Sequence, residues 1–83
     1  MGRCDKLVKK AQESPGNLRF AEACRLARCL GFEQVRETGG SHQVFKKRGS
    51  RGLINIQNRD GEAIEYQVKQ ILALAEALGL LEN

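Results

Sequence analysis

His42 is the only histidine in the chain, and it directly follows Gly39-Gly40-Ser41. An imidazole is the side chain best suited to take up and release a proton near neutral pH. Two glycines allow the backbone to approach a phosphate closely, because no Cβ stands in the way. Ser41 adds a hydroxyl donor. Lys46, Lys47, Arg48 and Arg51 follow within one hairpin's length. A proton carrier beside fixed positive charge suits phosphodiester chemistry, where negative charge builds on the phosphorus oxygens in the transition state. A lone histidine is more often structural, and a basic run is more often a solvated surface. It is the combination that singles out Gly40, Ser41, His42, Lys46, Lys47, Arg48 and Arg51.

Other chemistries find no support. There is no second histidine for a paired acid–base site and no assignable Ser-His-acid set. A phosphate-binding glycine loop with its lysine and hydroxyl is also missing. The acids are scattered, and Asp60 with Glu62 in a turn makes a poor metal pair, so no metal and no cofactor are expected. Three cysteines, Cys4, Cys24 and Cys29, are an odd number with no Cys-x-x-Cys spacing. That argues against a zinc site and for reduced thiols in a cytoplasmic protein. Lys6, Lys9 and Lys10 interrupt any signal-like apolar core near the N-terminus, and the apolar stretch from Ile71 to Leu81 contains Glu76 and is too short to span a bilayer. No membrane association is expected.

Charge is unevenly distributed. Residues 1–59 hold thirteen of the fourteen Lys and Arg but five of the ten acids, a net of +8, whereas residues 60–83 carry −4. Lys46 to Arg59 contains five basic residues and no acid. Such polarity suits a face for a polyanion.

The elements that must hold His42 follow from periodicity. With 83 residues the chain is one domain that buries only about 60% of its unfolded surface. Cys4, Leu7, Val8 and Ala11 predict a short helix over 3–13. Ser14-Pro15-Gly16-Asn17 then breaks the chain, so residues 1–17 read as an appendage to a domain over 18–83. Phe20, Ala23, Cys24, Ala27 and Leu30 form a helical stripe ended by Gly31. Strand-favouring runs at about 32–38, 42–47 and 52–58, separated by Gly39-Gly40 and by residues 48–52, predict an antiparallel meander. Val44 and Phe45 are adjacent, so they point to opposite faces and one of them is half exposed. Ile64, Val68, Ile71, Leu72, Ala75 and Leu78 predict a last helix over 64–78, with Glu65 and Lys69 as an i,i+4 pair. The fold class is therefore α+β: helix, three-stranded antiparallel sheet, helix, with both helices on one sheet face. Phe20, Phe32, Leu26 or Leu30, Ile54 or Ile56, Val68, Ile71 and Leu72 are the expected core.

Gly40-Ser41-His42-Gln43-Val44-Phe45, placed after a helix ending Leu30-Gly31-Phe32 and before Tyr66-Gln67-Val68-Lys69-Gln70-Ile71-Leu72, resembles the HicA family of bacterial toxins. The resemblance spans about residues 18–78. It implies a double-stranded-RNA-binding-domain-like fold, messenger RNA as substrate, a HicB-type antitoxin as partner and His42 as the catalytic residue of an endoribonuclease. Gly40, Ser41, Lys46, Lys47, Arg48, Arg51 and Lys69 are then the candidate RNA contacts. Gln43 stands where a second histidine often follows in that family, and Ile64-Glu65 stands where a Lys-Pro pair often opens the last helix. The alternatives are a non-catalytic RNA-binding module of the same fold and a protein-interaction domain using the Arg25/Arg28 helix face.

Overall fold

A computed structural model describes residues 3–38, 42–47, 49 and 52–81. Helix α1 spans Arg3–Glu13 and is followed by a single 3-10 turn at Pro15–Asn17. Helix α2 spans Phe20–Cys29, strands β1 to β3 span Glu33–Thr38, His42–Lys46 and Leu53–Gln57, and helix α3 spans Glu65–Ala77. The three strands form one antiparallel sheet in the order β1-β2-β3. The predicted elements therefore agree with the observed ones to within about two residues at their ends, the usual fraying range.

The sheet buries one face. Phe45 and Ile54 are register partners, as are Gln43 and Ile56. Phe45, Ile54 and Ile56 are fully buried. They share one cluster with Ala23, Leu26 and Ala27 of α2 and with Val68, Ile71 and Ala75 of α3. Both helices thus pack on the same sheet face, as the two apolar stripes require. Val44 is half-buried beside the fully buried Phe45. Phe20 and Leu72, expected inside, are only partly buried against the cluster. The segment read as an appendage contributes Leu7 and Ala11 to that same cluster, and Leu18 joins them, so the core crosses the boundary drawn after residue 17.

The cysteines are not all reduced thiols, contrary to what their number and spacing suggest. Cys4 and Cys29 form a disulfide, with 5.8 Å between their Cα atoms, and Cys24 alone is free and buried. The cause is tertiary. Burying Leu7 and Ala11 lays α1 against α2, which sets the first turn of one helix beside the last residue of the other. Burial also pushes the Cys24 thiol above its usual range.

Two local devices fix the helix ends that face the sheet. Gly31 has φ +93°. Its N–H donates to the Arg28 carbonyl, and the Phe32 N–H donates to the Ala27 carbonyl, a Schellman closure that turns the chain from α2 into β1. At the other end of the domain, Asp60 and Gly61 both have positive φ between Arg59 and Glu62, which exchange backbone bonds of 2.9 Å, a type I′ turn. Asn58 Oδ1 accepts from the Gly61 N–H. Backbone bonds from Phe20 N–H to Gly61 O and from Ala63 N–H to Leu18 O then tie the start of α2 to the start of α3.

Candidate functional site

His42 opens β2, paired in register with Thr38 on β1 and Gln57 on β3. Strand alternation settles its direction. Phe45 points into the core, so His42, Val44 and Lys46 point to the other face, the one no helix covers. Their register partners on β3 are Gln57, Asn55 and Leu53. Leu53 is 59% exposed, Asn55 and Lys46 are exposed, and His42 is half-buried. The imidazole therefore stands on the open face at the end of the sheet. Lys46 lies about 13 Å away along the strand, at ~3.3 Å per residue.

Lys46 and His42 share a face, but Lys47 does not. By alternation Lys47 belongs to the helix side, and its side chain is half-buried. It runs over Gly31, so closely that a Cβ there would lie 2.7 Å from Lys47 Nζ. The ammonium thus sits at the C-terminal end of α2, where the unpaired carbonyls favour a cation. Lys69 is on α3, also in the helix layer, and its ammonium is 3.3 Å from Glu65 Oε2, both side chains being well exposed. Gly40, Ser41, Arg48 and Arg51 lie outside the described residues. On the open face Glu33 is the cross-strand neighbour of Lys46, so that lysine has an acid close by.

The helix-face arginines Arg25 and Arg28 are both exposed and differ in their contacts. Arg28 donates to Gln34 Oε1 at 2.9 Å, and its guanidinium lies 5.4 Å from the centroid of the Phe45 ring. It braces α2 against β1 and the core rather than standing free for a partner.

Two glutamines have side chains that turn inward. Gln67 is 5% exposed, and its Oε1 accepts the Gln57 N–H at 2.8 Å. Position 67 lies three residues after Ile64 and four before Ile71, on the apolar stripe of α3. A polar residue on that stripe was the available signal. Gln43, next to His42, points to the helix side with a buried Oε1 that has no hydrogen-bond partner.

A groove of about 590 Å³ lies between α1, Cys29, Leu30 and Leu80-Leu81. Among the described residues no group of three or more His, Cys, Asp or Glu side chains converges in a way that could hold a metal ion. Among the described residues no helix is long and apolar enough to cross a membrane. The arrangement places the imidazole of His42 on the sheet face opposite the two helices.

The family model described as HicA toxin of bacterial toxin-antitoxin matches residues 20–79. The chain belongs to the HicA toxin family. The match begins at the first residue of α2, ends just past α3 and takes in the whole sheet, leaving α1 outside. As a HicA toxin the protein is one half of a toxin–antitoxin pair, with a cognate antitoxin as its partner. No curated protein and no solved structure matches the chain.

Proposed function

We propose that this HicA toxin is a metal-independent endoribonuclease that cleaves messenger RNA in the cytoplasm and is neutralised by a HicB-type antitoxin. The observation that carries this reading is the placement of the only imidazole of the chain, half-buried on the open sheet face, directly after Gly39-Gly40-Ser41. The ribose 2′-hydroxyl attacks the adjacent phosphorus as His42 takes its proton. The O2′–P bond forms and the P–O5′ bond breaks, leaving a cyclic 2′,3′-phosphate and a free 5′-hydroxyl. Protonated His42 is the group able to return the proton to the departing O5′. Lys46, on the same face, supplies positive charge along the strand, and Gly40, Ser41, Arg48 and Arg51 are the proposed contacts at the two hairpin ends. Lys47 and Lys69, in the helix layer, are proposed only for RNA that wraps around the sheet edge. The sheet with both helices on one face is also the arrangement that the double-stranded-RNA-binding likeness implies.

The test is cleavage of RNA in the presence of EDTA, with analysis of the product ends. Activity that survives EDTA, yields cyclic phosphate and disappears in His42→Ala with the fold intact supports the reading. A general acid–base contribution is typically about 10²–10⁴-fold, large enough to abolish growth arrest on expression. A folded His42→Ala variant that cleaves at the wild-type rate refutes it. One observation favours a second reading, a binding module without cleavage. His42 is the only imidazole of the chain, so a second acid–base group would have to be of another residue type. Wild-type protein that binds RNA and never cleaves it would establish that alternative.

A further inference from the structure

Among the described residues, Gln67 is the buried polar side chain. Its place on α3 lies within the apolar stripe, where a leucine or methionine would fill similar space without burying an amide. A buried amide is costly unless it is hydrogen-bonded. Gln67 Oε1 takes the backbone N–H of Gln57. Gln57 is the last residue of β3 and the register partner of His42. The first turn of α3 is therefore clasped to the same rung of the sheet that carries the imidazole. The last residue of β3 is thus paired in register with β2 and tied through its N–H to α3.

We propose that Gln67 is a positioning residue for His42, holding the β3 end of the His42–Gln57 rung so that the imidazole keeps one orientation on the open face. The proposal rests on His42 being the proton carrier. It deepens that reading by assigning to α3 a role beyond core packing. Proton transfer requires the imidazole within hydrogen-bond reach of the reacting oxygen, and a misplacement of about 1 Å can cost on the order of 10²-fold in rate. A rung held from β1 and β2 alone would let the end of β3 open to water and release that constraint.

The test compares Gln67→Met, which keeps the volume and loses the acceptor, with Gln67→Glu, which keeps the acceptor. The single histidine gives one set of imidazole proton resonances, so its environment can be followed by NMR without RNA. Gln67→Met is expected to shift or broaden those resonances and to speed amide exchange at Gln57 by about five- to tenfold, the worth of one backbone hydrogen bond. It should lower kcat by about ten- to a hundredfold with KM unchanged, because only the geometry of reaction is lost. Gln67→Glu should restore wild-type imidazole resonances and Gln57 protection. If Gln67→Met fails to fold, the Gln67→Glu spectra decide the question. Wild-type resonances, exchange and kcat in Gln67→Met overturn the proposal, and so does a Gln67→Glu variant as perturbed as Gln67→Met. If the wild-type protein does not cleave RNA, the endoribonuclease reading fails on its own account, and the imidazole and exchange measurements still judge the clasp.

Discussion

Neutralising Lys46 and Lys47 one at a time separates two adjacent lysines that the fold sends to opposite sides of the sheet. Lys46 is exposed on the face of His42, whereas Lys47 is half-buried with its ammonium at the C-terminal end of α2. A lysine that contacts one phosphate of a single strand contributes about 0.7 to the slope of log affinity against log salt. Lys46→Gln should therefore lower that slope by about 0.7. Raising salt from about 50 to 200 mM would then weaken its binding about two- to threefold less than that of wild type. Being exposed, Lys46 should change stability by less than about 0.5 kcal/mol. Lys47→Gln should do the reverse. It leaves the slope unchanged and forfeits a cation at a helix C-terminus worth about 0.3–1 kcal/mol. For a domain of this size that is a Tm lower by about 1–8 °C. The assays are fluorescence anisotropy of labelled RNA across a salt series and thermal unfolding followed by circular dichroism. A Lys47→Gln slope reduced as much as that of Lys46→Gln would show that RNA reaches the helix layer, and the division of the two lysines by face would be wrong.

Two further outcomes follow from bonds outside the site. Cys4→Ser should cost about 2–4 kcal/mol of stability under oxidising conditions, since the Cys4–Cys29 link closes a loop of 25 residues. Reductant should bring the wild-type Tm down to that of the variant and leave the variant's own Tm alone, and a reductant-insensitive wild type would contradict the cross-link. The Glu22 carboxyl is held below its ordinary value of 4.5, chiefly by the Arg19 backbone N–H it accepts and then by Lys10, against a smaller opposing effect of burial. A carboxyl lowered by folding contributes stability that is present above its unfolded pKa and lost as the pH falls through its folded one. Acid titration of stability should therefore show a component below about pH 4.5 that is missing in Glu22→Gln, and identical acid limbs in the two proteins would remove Glu22 from the account.

What could be read from the residues, and what could not, divides by range. The stripe Phe20-Ala23-Cys24-Ala27-Leu30 and the stop at Gly31 are short-range signals, and α2 ends where they place it. The same holds for the glycine-bounded runs that became β1 to β3. Strand parity was equally local, and it suffices to set Val44 and Phe45 on opposite faces. Lys47 is next to Lys46 in sequence, yet the same parity sends the two to opposite sides of the sheet. The Cys4–Cys29 bond depends on α1 lying along α2, a packing that Leu7 and Ala11 bring about but that spacing alone does not reveal. Gln67 was legible in principle as a polar break in an apolar stripe. Its partner, a backbone N–H ten residues earlier, belongs to tertiary structure. The candidate site was thus visible as a cluster of residue types, while which of them share a surface with His42 became apparent only once the sheet was formed.

The order β1-β2-β3 has a kinetic consequence. Every strand pairs only with its neighbour in sequence, so the sheet can assemble by closing one short hairpin after another, and short loops cost little entropy to close. Outside the sheet, distant parts of the chain are joined by the shared core of α1, α2 and α3, by the backbone pairing of residues 18–20 with 61–63, and by the link between α1 and the end of α2. A chain organised in this way can form the His42-bearing hairpin before its ends are in place. A tether of α1 that forms after the sheet raises the barrier to unfolding more than it speeds the approach to the native state.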